Sequence, residues 1–288
     1  MRIKAYAKIN WTLDITGQRE DGYHLMDMLM QQVSLHDVIT LEHADELTLE
    51  TSGDPYLPPS EEHLAWRAAV ALLHETNVHK GARIHVHKSI PMGAGMGGGS
   101  ADAAAVLAGL NELWALHLSQ TELERIGLTL GADVPYCLRG GLTRARGIGE
   151  ELEPLPCAHS YHLCVVQPCE GLSTGAVFKA YHACDHIARP KTDDAQRALA
   201  TGDAALLAAS LGNVMQAVSE QMRPEISCAI DALKANGALC AQMTGSGSAV
   251  FGVFDTADAA VTARAALAQR WNRCYACETL IDGGIPME

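Results

Sequence analysis

Five glycines fall within seven positions of the run Pro91-Met-Gly-Ala-Gly-Met-Gly-Gly-Gly-Ser100, and a helical pattern begins immediately after it. Glycine admits positive φ and lets a ligand approach the backbone without meeting a Cβ. Ala103, Val106, Leu107, Leu110 and Trp114 then recur at i, i+3, i+4, i+7 and i+11, one apolar helix face. A glycine loop that opens a helix aims free N–H groups and the positive end of the helix dipole at one point, which is an anion site, most often for phosphate. No Gly-Lys-Ser/Thr closes the loop, so it is not a Walker A loop. Gly93-x-Gly95-x-x-Gly98 matches a dinucleotide fingerprint by letter. However, Glu122 and Glu124, about 20 residues on, sit in a segment patterned as a capped helix instead of at the end of a strand.

The flanking chain predicts an α+β protein. Ile3, Ala5, Ala7, Ile9, Trp11, Leu13 and Ile15 alternate with mostly polar residues, as expected of a strand with one buried face, which puts Lys8 and Asn10 together on the opposite, non-core face. Further strands are expected near 28–35, 37–42, 46–51 and 82–88, a loop at 54–59 and a helix over 62–75. There is no regular βαβα alternation, which disfavours a doubly wound sheet. Past the proline-punctuated 151–156, a strand at 161–166, a helix over 173–183, a polar connection at 185–195 and alanine-rich helices to about 236 are expected. Two strands around Thr244-Gly-Ser-Gly-Ser248, a helix over 257–269 and a last strand near 274–281 follow. This order suggests a mixed β/α first domain over residues 1–152 and a ferredoxin-like second domain over 153–288.

Several residues carry chemistry in this pattern. Asp133, in Gly131-Ala-Asp-Val-Pro135, is either a turn or helix cap, or a carboxylate held to orient or deprotonate a hydroxyl in phosphoryl transfer. Lys8 is either a solvated strand charge or the partner of such a carboxylate. Lys88, three residues before the loop, is a second cation within reach of an anion, and Tyr23-His24 is either a loop edge or a pair able to stack on and hydrogen-bond a planar base. The small-residue turn 244–248 is either a plain hairpin or a second source of backbone N–H groups across a cleft between domains. His85-x-His87 has no third ligand nearby, so no metal site is expected.

A net charge of −13 speaks against a nucleic-acid surface but allows an anionic substrate held by local cations and amides. The nine cysteines are odd in number and irregular in spacing, so they read as small buried hydrophobes in a reducing compartment. Cys274-Tyr-Ala-Cys277 lies in an apparent strand instead of at a helix start. No apolar run is long enough to span a bilayer, and Met1-Arg-Ile-Lys lacks a signal-peptide core, so a cytoplasmic location without membrane partners is expected.

The loop, Ala7-Lys8-Ile9-Asn10 and Gly245-Ser-Gly-Ser-Ala-Val-Phe251 together resemble the galactokinase–homoserine kinase–mevalonate kinase–phosphomevalonate kinase (GHMP) superfamily. Thr16-Gly-Gln-Arg-Glu-Asp-Gly-Tyr-His24, Gly131-Ala-Asp-Val-Pro135 and Gly140-Gly141 resemble its branch that phosphorylates the 2-hydroxyl of a cytidyl diphosphate methylerythritol in non-mevalonate isoprenoid synthesis. The matching segments run from about residue 5 to 254. The resemblance implies a two-domain GHMP-kinase architecture, ATP and magnesium brought as MgATP, and a small-molecule substrate. It implies Asp133 as catalytic base with Lys8 as its partner. The ATP phosphates fall to Pro91, Met92, Gly93, Ala94, Gly95, Met96, Gly97, Gly98, Gly99, Ser100 and Ala101, and the substrate to Asn10, Tyr23, His24, Lys88, Thr174 and Phe178, with no protein metal cage. His63-Leu64 stands where the family has Asn-Leu near the adenine, and Asn213-Val-Met-Gln where it has Asn-Asp-Leu-Glu. A homoserine- or mevalonate-type kinase and an inactive GHMP-fold binding module stay open as alternatives, as do monomer and homodimer.

Overall fold

Two long antiparallel strands, β1 (Arg2–Gln18) and β2 (His24–Ala44), form the spine of the first half. The structure, a computed structural model, describes residues 1–53, 62–181 and 188–287; the expected loop at 54–59 and the end of the 173–183 helix lie outside them. β2 is one strand where the alternation suggested two. No glycine or proline interrupts Ser34–Asp37, so the chain absorbs the change as a register shift between Gln32 and His36 without breaking. β3 (Leu47–Ser52) pairs parallel with β4 (Gly81–His87), and β4 pairs with the far half of β2. α1 (Leu64–Thr76) connects β3 to β4, and α2 (Gly98–Leu113), α3 (Gln120–Leu130) and α4 (Val134–Arg139) follow β4 in the chain. β5 (Leu142–Gly147) pairs with the near half of β2, and β6 (Glu151–Pro154) with β5.

Helix α2 presses directly on β1 and β2 because its inner face is built of small residues. A Cβ on Gly109 would strike the side chains of Ile3 and Leu41. α3 starts at the capping box Ser119/Glu122 that its sequence announced.

The second half contains β7 (His162–Val166), α5 (Thr174–Tyr181), α6 (Thr192–Thr201), α7 (Ala204–Ser210) and β8 (Gly212–Asn213). Then come α8 (Gln216–Met222), α9 (Glu225–Ala235), β9 (Cys240–Met243), β10 (Val250–Phe254), α10 (Ala257–Leu267) and β11 (Cys274–Glu278). The polar connection expected over 185–195 gives way to α6 at Thr192. The short β8 returns to the first sheet, parallel to β1, giving the order β3-β4-β2-β1-β8. The second sheet is antiparallel throughout, ordered β11-β7-β10-β9, with α9 before its second strand in the chain and α10 before its last. That is the ferredoxin-like arrangement. Its other face packs on the first sheet, where Trp11 meets Phe251 and Tyr161 edge-on at 5.6 and 5.4 Å. The chain end returns too: Leu280 N–H donates to Gln32 O, and Gly284 lies against Gly140, where a Cβ would come within 2.6 Å of its nitrogen.

The alternation in β1 conceals a reversal. Ile3, Ala5, Leu13 and Ile15 belong to the core shared with α1 and α2, whereas Ala7, Ile9 and Trp11 belong to the core between the two sheets. Register shifts lie between Tyr6 and Lys8 and between Asn10 and Thr12, at the two places where the buried face changes. Lys8 and Asn10 are therefore buried, 4% and 0% exposed, and do not project from a solvated sheet face. This corrects the expectation from the pattern. Period-2 patterning records that a residue is buried, but not which of two cores buries it.

The CxxC pair is also resolved by strand geometry. Cys274 and Cys277 are three apart on β11, so their side chains leave opposite faces. Both thiols are free, and burial pushes them up, to about 11 and about 12.

Candidate active site

Gly97, in the left-handed region at φ +70°, ends the glycine loop as the N-cap of α2. It has no side chain to satisfy the first turn of N–H groups, which stay available to an anion. The glycines have a second use. Gly95 (φ +77°) and Gly245 (φ +56°) lie backbone on backbone: a Cβ on Gly245 would come within 2.7 Å of Gly95 O, and one on Gly95 would strike Thr244 O. Ala249 N–H donates to Ala94 O at 3.1 Å. The loop of the first half is thus moulded against the Thr244–Ser248 turn of the second.

Lys8 lies under Gly97, where a Cβ would come within 3.1 Å of the lysine Cγ. Its ammonium donates to Asn10 Oδ1 at 2.8 Å and stands 3.5 Å from Asp133 Oδ2. Asp133 occupies the N-cap position of α4, yet its carboxylate caps no N–H. The side chain is 33% exposed and faces a cavity of about 590 Å³. Tyr23, His24, Thr174 and Phe178 also line that cavity, and the His24 and Phe178 rings stack at 4.2 Å with an interplanar angle of 13°. Thr174 shares a 3.0 Å hydroxyl hydrogen bond with Ser246 on the turn.

A second cavity of about 460 Å³ lies on the other side of the loop, lined by Pro91 to Ser100 together with His63, Leu64, Lys88 and Asp102. Gly93, Gly95, Gly97, Ser100 and Thr174 border both cavities, so the loop is the wall through which they communicate.

Lys88 lines only this second cavity, and its charge is already committed. Its ammonium donates to Asp37 Oδ2 at 2.5 Å and Asp102 Oδ2 at 2.6 Å, both carboxylates fully buried. Asp37 Oδ1 further accepts the N–H groups of Ser89 and Ile90. Two buried acids share one cation, and desolvation pushes Asp102 up, to about 8. His63 caps α1 through Nδ1, which accepts from Ala65 N–H, leaving Nε2 3.9 Å from Asp102; burial lowers it to about 4, so it is neutral.

The residues singled out in the sequence thus divide. Lys8, Asp133, Tyr23, His24, Thr174 and Phe178 gather at the first cavity, and Pro91–Ser100 lie between the cavities. Ala101 is buried at the start of α2. Asn10 does not line the first cavity; its amide is enclosed by Lys8, Met28, Thr244 and Gly245. Lys88 does not reach that cavity either, because Asp37 and Asp102 hold it beneath the loop. Sequence reading missed both acids. For Asp37 the signal was present, since it is in phase with the inward-facing Ile39 and Leu41. His85 and His87 both hydrogen-bond Ser52 Oγ.

Comparison with known proteins agrees with this geometry. The profile of the GHMP kinases N terminal domain matches residues 63–141, and that of the GHMP kinases C terminal matches 195–273. The 4-diphosphocytidyl-2-C-methyl-D-erythritol kinase of Clostridium tetani is 37% identical over 97% of this chain and 100% of its own. The chain belongs to the 4-diphosphocytidyl-2-C-methyl-D-erythritol kinase family of GHMP kinases. The family's enzyme from Caldicellulosiruptor bescii is 41% identical over 88% of this chain and 89% of its own. A crystal structure of 4-(cytidine 5'-diphospho)-2C-methyl-D-erythritol kinase superposes with a TM-score of 0.84 at 34% identity, covering 99% of this chain and 100% of that one. A homoserine kinase from Cytophaga hutchinsonii shares the fold, at TM-score 0.75 and 18% identity over 99% and 96% of the two chains. Among the described residues of this family member, no helix is long and apolar enough to cross a membrane.

Proposed function

We propose that this chain transfers the γ-phosphoryl group of ATP to the 2-hydroxyl of 4-diphosphocytidyl-2-C-methyl-D-erythritol, a step of non-mevalonate isoprenoid synthesis. The observation that carries the mechanism is the Lys8–Asp133 pair, set in one cavity directly across the glycine loop from another. ATP occupies the second cavity with its phosphates on the loop, and the cytidyl substrate occupies the first, its base beside Tyr23, His24 and Phe178. Asp133 Oδ2 orients the hydroxyl and accepts its proton as the oxygen bonds to the γ-phosphorus. The bond from that phosphorus to the β–γ bridging oxygen breaks, and ADP leaves. The transition state is loose and needs little push from the nucleophile, so placement of the hydroxyl matters more than base strength. Lys8, beside Asp133, offsets the negative charge gathering on the transferred group.

Magnesium fits as a companion of ATP. Among the described residues no group of three or more His, Cys, Asp or Glu could hold a metal ion, while Ser100 borders both cavities. A magnesium ion would rest on the phosphates with Ser100 as its protein contact, and would neutralise phosphate charge. A division at 152/153 and a cytoplasmic location go with this reading. The test is ADP release with the cytidyl substrate against homoserine and mevalonate. Turnover is expected with the cytidyl substrate alone, and its absence there overturns the assignment.

A further inference from the structure

Lys8 faces the cleft because β1 is irregular between Asn10 and Thr12, and side chains of the second half hold that irregularity. Gln242, on β9 and 5% exposed, donates from Nε2 to two successive carbonyls, Asn10 O at 3.0 Å and Trp11 O at 2.9 Å. Thr244 is fully buried; its Oγ1 accepts from Asn10 N–H at 3.0 Å and lies 3.4 Å from Asn10 Oδ1. The same Oδ1 accepts from Gly245 N–H at 3.1 Å and from the Lys8 ammonium at 2.8 Å.

We propose that Gln242 and Thr244 are positioning residues for phosphoryl transfer: they fix Asn10, and Asn10 Oδ1 in turn aims the Lys8 ammonium at Asp133. The inference rests on the reading of Lys8 and Asp133 given above. A lysine stem has many rotamers and its ammonium can point its three donors freely, so a buried catalytic lysine needs a fixed acceptor. Asn10 supplies one, and its own backbone and amide are pinned from the far end of the chain. A displacement on the order of 1 Å at a reacting group can cost about 100-fold in rate. The second half thereby sets the geometry of the first half's reacting pair, beyond forming one side of the cleft.

The test is steady-state kinetics of Thr244→Val, Thr244→Ser, Lys8→Met and the double variant Lys8→Met/Thr244→Val. Thr244→Val keeps the shape and removes the hydroxyl; it is expected to lower kcat about 10- to 100-fold with the KM for ATP unchanged. Thr244→Ser should restore most of that loss. In the Lys8→Met background Thr244→Val should remove no further factor, because the group it positions is gone. Wild-type kcat in Thr244→Val, or a loss that multiplies onto that of Lys8→Met, overturns the inference while leaving the Lys8–Asp133 reading intact. Wild-type turnover in Lys8→Met overturns both. If Thr244→Val does not fold, Gln242→Met, which removes both donations to β1, is held to the same outcomes.

Discussion

Two buried lysines flank the glycine loop, and they are used in opposite ways. Lys8 has one neutral amide acceptor and one carboxylate, 3.5 Å away and a third exposed to a cavity. Lys88 has two fully buried carboxylates at 2.5 and 2.6 Å, so its charge is matched by buried acids. In sequence Lys88, three residues before the loop, stood as the cation beside a phosphate, whereas Lys8 stood as a strand charge or the partner of a carboxylate. The difference teaches that proximity to an anion site is not enough: a lysine acts on a ligand only where its counter-charge is incomplete and open. Lys88 instead supports the loop from beneath, through Asp37, which also receives the N–H groups of Ser89 and Ile90.

The strongest way to break that contrast is Asp133→Asn. Turnover should fall about 1,000-fold or more, from loss of a positioned proton acceptor, while ATP affinity measured by titration stays near wild type. Near-normal turnover would remove the Lys8 side of the comparison.

Lys88→Met probes the other side. It leaves Asp37 and Asp102 buried without their cation and should cost about 3–5 kcal/mol of stability in denaturant unfolding. Lys8→Met, beside a half-open carboxylate, should cost clearly less. Equal losses would mean that both lysines are structural.

Phe178→Ala sharpens the division between the cavities. Removing the ring that stacks on His24 should raise KM for the cytidyl substrate about 10- to 100-fold, as base-stacking aromatics do, with little change for ATP. A rise in KM for ATP alone would exchange the cavity assignments.

The smallest effect concerns His63. Its pKa is depressed to about 4, so the folded state holds fewer protons there than the unfolded chain, whose histidines titrate near 6.5. Its contribution is therefore present above pH 6.5 and is lost as pH falls toward 4. The loss should be about 2 kcal/mol after solvent screening. Unfolding measured across that interval should lose this slope in His63→Asn. An unchanged slope would show that the imidazole is not held neutral beneath the loop. Asp102 runs the other way: raised to about 8, it erodes stability as pH climbs from about 4 through 8.

Much of the site was legible in the chain because its features are local. The glycine run and the helix that follows it specify an anion cradle whatever surrounds them, and the capping box Ser119/Glu122 fixes the start of α3. Asp133 was recognisable as a carboxylate on a turn, and Tyr23-His24 as a planar pair. The phase of Asp37 marked it as buried, but its pairing and that of Asp102 with Lys88 were not legible, since they lie 51 and 14 residues away and only packing brings them together. Nor was the enclosure of Asn10, whose hydrogen bonds to Thr244 and Gly245 span 234 and 235 positions.

The sequence by itself determined that β1 is buried along its odd residues, that a phosphate-type loop opens α2, and which residue types stand ready for phosphoryl transfer. Only the tertiary structure decided where Lys8 points. An alternating pattern is identical for a strand that buries one face in a single core and for one that turns over between two. Two register shifts, held partly by Gln242 and Thr244 from the other half, choose the second and aim the lysine into the cleft.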